Sequence, residues 1–266
     1  MKKIMVWLFR LAWLSLVFAV GPAVAEATDH RSGAIRLVAE IGCWAVWATV
    51  LVAALVPTTV SLTFVRVLVP IAPIASTMVW VGGCTPVAGG IALGAAVVTT
   101  VLAFGGEFGE AFAQGSAYGH ERRFPLRPPI AVAVATFTAW LLAVAALLIG
   151  ALGLAARQWS FGAPLAAGAV AAAPALGKRF HRLSRRWLVV VPAGLVIHDH
   201  VVLAETVLFQ KQELAGVSLA LVDSRAADLT GTARGPLVEV RLRDLGTVVL
   251  AAPPRGQTRA LHVEAV

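Results

Sequence analysis

The chain has 266 residues, 59% of them hydrophobic and 14% charged, against roughly 45–50% apolar and about 25% charged in an ordinary soluble domain. That composition excludes a simple soluble globule. The formal net charge of +8 would admit a nucleic-acid partner, but the cations sit at the edges of long apolar runs, so no nucleic acid is expected. Cys43 and Cys84 both lie inside apolar runs, where cysteine acts as a small hydrophobe and implies neither a disulfide framework nor a zinc motif.

Charge divides the chain. From Leu37 to Gly106 only Glu40 and Arg66 are charged, whereas Lys178 to Val266 holds 12 Lys+Arg and 8 Asp+Glu. The expected organisation is an N-terminal segment over residues 1–34, a transmembrane helical domain over 35–177 and a strand-rich cytoplasmic domain over 178–266.

Met1 to Ala25 reads as signal-like: Lys2 and Lys3, an apolar stretch, then Ala23-Val24-Ala25 as a small-residue cleavage pattern. Arg10 interrupts the stretch, and an interfacial helix is the other reading. Residues 35–56 and 130–156 each supply the roughly 20 apolar residues that cross about 30 Å of hydrocarbon, with Trp44, Trp47 and Trp140 as interfacial or packing aromatics. Residues 160–177 make a shorter span, paired to the previous one in an antiparallel hairpin packed through Ala and Gly faces. Residues 60–104, broken at Pro57, Pro70, Pro73 and Pro86, hold one span or two. A central Arg66 costs roughly 2.5–3.5 kcal/mol on insertion scales, which favours one. The reading is a membrane α-helical bundle of four spans, with six as the alternative. By the positive-inside rule, Arg122, Arg123, Arg127 and the Lys178 to Arg186 cluster stay in the cytoplasm, so the C-terminus of this multi-pass protein is cytoplasmic.

In residues 105–129, Phe104, Phe108 and Phe112 recur every four residues, the pattern of an amphipathic surface helix. The rest reads as loop, with His120 to Arg123 a solvated juxtamembrane turn. From Arg186 the pattern changes to short strands: Trp187 to Val191, a Pro192-Ala193-Gly194 turn, Leu195 to His198, Val201 to Ala204, Thr206 to Lys211, Val217 to Val222, Leu237 to Arg243 and Thr247 to Ala251. A small antiparallel β domain is expected.

The stretch RRWLVVVPAGLVIHDHVVLAETVLFQKQELAGVSLAL, Arg185 to Leu221, resembles the first half of the bacterial pleckstrin-homology-like domains that follow transmembrane segments in bacterial polytopic membrane proteins. The resemblance implies a PH-like curved sheet closed by a C-terminal helix, for which Gln257 to Val266 is short, and a bacterial inner-membrane location. It implies scaffolding, oligomerisation or lipid-surface contact rather than catalysis.

Neither a GxSxG elbow nor a GxxxxGK[ST] loop occurs, so the chain is read as non-enzymatic and without cofactor. His198 and His200 flank Asp199, with His262 as the nearest candidate third ligand, but a hairpin turn is the plainer reading and no metal is expected. Gly82, Gly83, Gly89, Gly90 and Gly94 read as close helix packing. Glu40 and Arg66 are the candidate intramembrane ion pair, because ionisable groups in apolar runs are functional hypotheses by default; an edge pair of Glu40 with Arg36, four residues away, is the simpler alternative. Lys178, Arg179, Arg182, Arg185 and Arg186 are the candidate membrane-surface site. The expected function is a scaffold or interaction module at the inner membrane. Its partners would be the lipid bilayer and a protein or second copy meeting residues 178–266. A small transporter or channel subunit regulated by that domain is the runner-up.

Overall fold

A computed structural model describes residues 2–221, 224, 226–244, 246–251 and 260–263, the side chains of residues 2 and 260–263 excepted. Its helices, in chain order, are α1 (Lys2–Thr28), α2 (Gly33–Leu55), α3 (Thr59–Leu68), α4 (Ile71–Val81), α5 (Pro86–Phe104), α6 (Gly106–Gln114), α7 (Ile130–Ala155) and α8 (Trp159–Ser184). The breaks between them are chemical. Ser32 and Thr58 accept from Ile35 N and Ser61 N and so cap α2 and α3. Pro70, which has no N–H to donate, separates α3 from α4. Pro86 opens α5 at a position where a missing N–H costs nothing.

Six stretches among the described residues are long and apolar enough to cross a membrane: α1, α2, α3 continued by α4, α5, α7 and α8. The favoured count of four is therefore corrected to six apolar helices. The reason lies in what surrounds each interrupting charge. Arg10 on α1 donates to Ala54 O from Nε at 3.0 Å and from Nη2 at 2.8 Å, using a carbonyl that the end of α2 leaves free. Arg66 on α3 lies over the Phe104 ring, 5.9 Å from its centroid. An insertion cost for a lone helix overstates the cost of a guanidinium that neighbouring helices receive.

The chain forms two compact units, residues 1–115 with 138–180, and residues 116–137 with 181–266. In the first, Phe9 and Trp13 of α1, Leu62 and Val65 of α3, and Phe108 and Phe112 of α6 are buried in one core. Phe9 meets Phe108 at 4.7 Å between ring centroids, and Phe108 meets Phe112 at 4.5 Å. The signal-like segment is thus a packed helix of this unit. The four-residue Phe period belongs to a core helix, since Phe108 and Phe112 are fully covered while Phe104 stays exposed. Trp140 donates to Val67 O at 3.1 Å.

The α7–α8 hairpin follows expectation. A Cβ on Gly150 would stand 2.6 Å from Ala166 N, and one on Gly162 would stand 2.8 Å from Leu154 N, so the two backbones approach more closely than any side chain would permit. The chain reverses at Arg157, held at φ 60°, with Gln158 N donating to Gly153 O at 2.8 Å to close the end of α7.

The second unit is built of antiparallel strands: β1 (Arg122–Pro125), β2 (Trp187–Val191), β3 (Gly194–His198), β4 (Val207–Gln210), β5 (Leu214–Leu219), β6 (Val238–Leu242), β7 (Gly246–Val249) and β8 (Ala260–Val263). They make a four-stranded sheet in the order β1-β2-β3-β4 and two pairs, β5-β6 and β7-β8. Residues 122–125, expected as loop, are instead an edge strand pairing Arg122 with Val190 and Pro125 with Trp187. A four-residue strand with two arginines carries no alternation to betray it. Val201 to Ala204, expected as a strand, contributes a single bridge, Leu203 to Leu250. Gly194 allows the β2–β3 turn to lie against β4: at φ 153° its missing Cβ would overlap Phe209 O. Leu203, Phe209, Leu242, Val248 and Leu250 form the core. At the C-terminal end, short for the closing helix that the resemblance implies, the described residues 260–263 are strand β8.

Candidate functional site

Lys178, Arg179 and Arg182 project from the last turns of α8, and Arg185 follows directly after its end; all four are exposed. Lysine and arginine at a helix C-terminus are favoured by the carbonyl ends there. A spacing of four residues from Lys178 to Arg182 puts these two cations on one helical face. Four free cations on one short stretch can each meet a phosphate oxygen, with attraction that salt weakens.

Arg186 does not belong with them, which corrects the sequence-based cluster. Its side chain is fully buried and makes a bidentate ion pair with Asp199, Nε to Oδ1 at 2.7 Å and Nη2 to Oδ2 at 2.5 Å. Its Nη1 donates to Arg127 O at 2.6 Å, and its own carbonyl accepts from Leu126 N at 2.9 Å. Asp199 Oδ1 also accepts from Val201 N at 3.0 Å. Every arm of this pair is used, so a desolvated arginine becomes a peg joining residues 126–127, the start of β2 and the loop after β3. Charge counting cannot separate Arg186 from Arg185. A usable signal is the pattern downstream, where β2 begins at Trp187 and pulls the preceding residue into the sheet.

Beside this peg, rings and cations stack across β1, β2 and β3. The Arg123 guanidinium lies over Trp187 at 5.1 Å. His198 stacks on Trp187 at 5.6 Å between ring centroids and meets His200 edge-on at 4.5 Å. His198 Nδ1 pairs with Thr206 Oγ1 at 2.9 Å. Burial first, then the electrostatic influence of nearby His200, Arg185 and Arg123, holds His198 down at a pKa of about 4, against a smaller opposing effect of Asp199. Among the described residues no group of three or more His, Cys, Asp or Glu side chains could hold a metal ion. The side chain of His262, the candidate third ligand, lies outside the described residues.

The structure does not bring Glu40 and Arg66 together. Glu40 accepts from Arg36 Nε at 2.8 Å, one turn away on α2, and both side chains are exposed, which is the edge pair of the simpler reading. Arg66 is directed at α6, where a Cβ on Gly109 would lie 2.5 Å from its Nη2. Glycine at 109 is what admits the guanidinium. The intramembrane pair was drawn from two isolated charges in a long apolar run, and the intervening helix geometry decides otherwise.

Comparison of the chain with models of protein families, with curated proteins and with solved structures finds no match.

Proposed function

We propose that the chain is a multi-pass protein of a bacterial inner membrane, non-enzymatic, whose strand-rich unit is a cytoplasmic interaction module of the pleckstrin-homology-like kind. The observation that carries this reading is the pairing of β1 with β2. Arg122–Pro125 and Trp187–Val191 can pair only on one side of a membrane, so the chain between them must cross an even number of times, and α7 and α8 cross together. With six spans, both termini lie on one side. The side richer in cations then holds Lys3, Arg122, Arg123, Arg127, Lys178, Arg179, Arg182 and Arg185, against Arg31, Arg36 and Arg157 opposite, the cytoplasmic pattern.

The exposed cations Lys178, Arg179, Arg182 and Arg185 engage anionic lipid headgroups where α8 leaves the bilayer, at about 1 kcal/mol each near the surface. They thereby orient the module that follows toward a protein partner or a second copy. The experiment is backbone hydrogen exchange over residues 178–186 of the full chain in nanodiscs. Exchange slows when anionic lipid replaces zwitterionic lipid, and high salt removes the difference. Equal exchange in both compositions at low salt would leave the protein-partner role alone. A reporter fused after Val266 is active only in the cytoplasm; activity only outside would overturn the orientation.

A further inference from the structure

The first unit contains a cavity of about 480 Å³, lined by α1, α2, α4 and α7, within the range of ligand pockets, roughly 300–1,000 Å³. Its walls include Val20 and Val24 of α1, Gly42 and Cys43 of α2, Ala75 of α4 and Leu148 of α7. Among the described residues Glu40 is the only charged one along it.

One end is closed. Trp13 Nε1 donates to Trp47 O at 2.9 Å, and Trp47 Nε1 donates to Trp13 O at 3.1 Å. This reciprocal pair satisfies both indole N–H groups and leaves ring faces as an apolar floor. Two tryptophans that answer each other's only donor have nothing polar left to offer an occupant.

From Trp13 to Ala25, the two ends of the lining on α1, the helix advances about 18 Å at 1.5 Å per residue. That is close to one leaflet, half of a hydrocarbon core about 30 Å thick. The lining reaches Ala25 of α1 and Val38 of α2, the residues along it nearest the α1–α2 turn, and there Glu40, which lines the cavity, is paired with Arg36. Glu40 on the lining with Arg36 beside it complements a headgroup bearing both signs, phosphate against Arg36 and ammonium against Glu40. Length, apolar walls, indole N–H groups already satisfied and an ion pair at one end together specify the occupant.

We infer that this groove holds one acyl chain of a zwitterionic phospholipid from the leaflet at the α1–α2 turn, with its headgroup at Arg36 and Glu40. The inference rests on the reading that these helices cross a membrane. It adds to that reading a saturable lipid site, distinct from the lipid that surrounds any bundle.

Gly42 lines the groove, and a Cβ built on it meets nothing within 4 Å; the same holds for Gly21, and for Gly168, which does not line the groove. Gly42→Leu therefore fills the groove, Gly21→Leu fills it from α1 should the first variant fail to fold, and Gly168→Leu adds equal bulk elsewhere. The full chain is purified in detergent and titrated with phosphatidylethanolamine carrying brominated acyl chains, which quench tryptophan; Trp13, Trp44 and Trp47 line the groove. Wild type and Gly168→Leu show a saturating component of quenching at about one lipid per chain, and the groove-filling variants lose at least half of it. Quenching that never saturates in wild type, or saturates equally in the filled variants, overturns the site. So does a filled variant that changes only the oligomeric state, which assigns the groove to a second copy. Flotation of the same protein with membranes is scored separately: flotation without saturable quenching defeats the lipid site alone, and failure to float defeats the membrane reading itself.

Discussion

In the helical unit Arg10 is received by the carbonyl of Ala54 and Arg66 by a phenylalanine ring and the open face of Gly109, whereas in the strand unit Arg186 is received by a carboxylate, a carbonyl and nothing else. The difference follows from supply. Between Leu37 and Gly106 the only acid is Glu40, so a cation among these helices depends on carbonyls left free at a helix end and on ring faces. The strand unit is rich in both signs and can dedicate Asp199 to one arginine. Location along the helix thus decides where the apolar unit tolerates a charge, and pairing decides it in the polar one.

The hardest blow to this contrast falls on the Arg186 peg. Asp199→Asn keeps shape but leaves a buried guanidinium uncompensated, and the strand unit should lose about 3–5 kcal/mol. Hydrogen exchange over residues 187–210 will rise while that of α1 and α5 stays as it was; equal loosening of both would mean that the units do not hold their charges separately. In the helical unit the comparable weak point is steric rather than ionic. Gly150→Ala drives a methyl into Ala166 N, and overpacking of this kind costs about 1–3 kcal/mol, read as a lower thermal midpoint of helical circular dichroism in detergent.

A smaller effect is expected from His198. Its folded pKa of about 4 lies below the unfolded value of about 6.5, so below pH 6.5 the unfolded chain takes up a proton that the folded chain refuses. Stability conferred by the neutral ring is whole above pH 6.5 and is lost as the pH falls toward 4. The melting temperature of the strand unit will drop between pH 7 and pH 5, and His198→Phe will flatten that slope; a slope unchanged by the substitution would remove His198 as its source. The least effect belongs to Glu40→Gln. The Arg36–Glu40 pair is exposed, and exposed pairs contribute little, so the melting temperature should not move measurably, in contrast with Asp199→Asn.

The apolar helices were legible from hydropathy because a bilayer imposes length and composition together. Arg66 misled the count because sequence reports a charge but not the ring and the glycine that meet it. Most strands of the second unit were legible from turns and alternation, as Val238 to Leu242 illustrates. β1 was not, because four residues pair with a partner more than sixty positions away and have no pattern of their own. The cationic stretch was legible as a group, but whether an arginine faces water or a buried aspartate depends on the third dimension: Arg185 and Arg186 are adjacent, identical in type and opposite in fate.

The edge position of β1 bears on the order of events during synthesis. Its strand emerges before α7 and α8, yet the partner it needs, Trp187–Val191, emerges after them. Residues 122–125 must therefore wait, unpaired, while two long helices are made and settled, and closing so long a loop is slow. The four-stranded sheet is completed only when the two ends of the α7–α8 hairpin have been brought together. Until then β2 presents an unpaired sheet edge, the feature by which strands of separate chains join and aggregate.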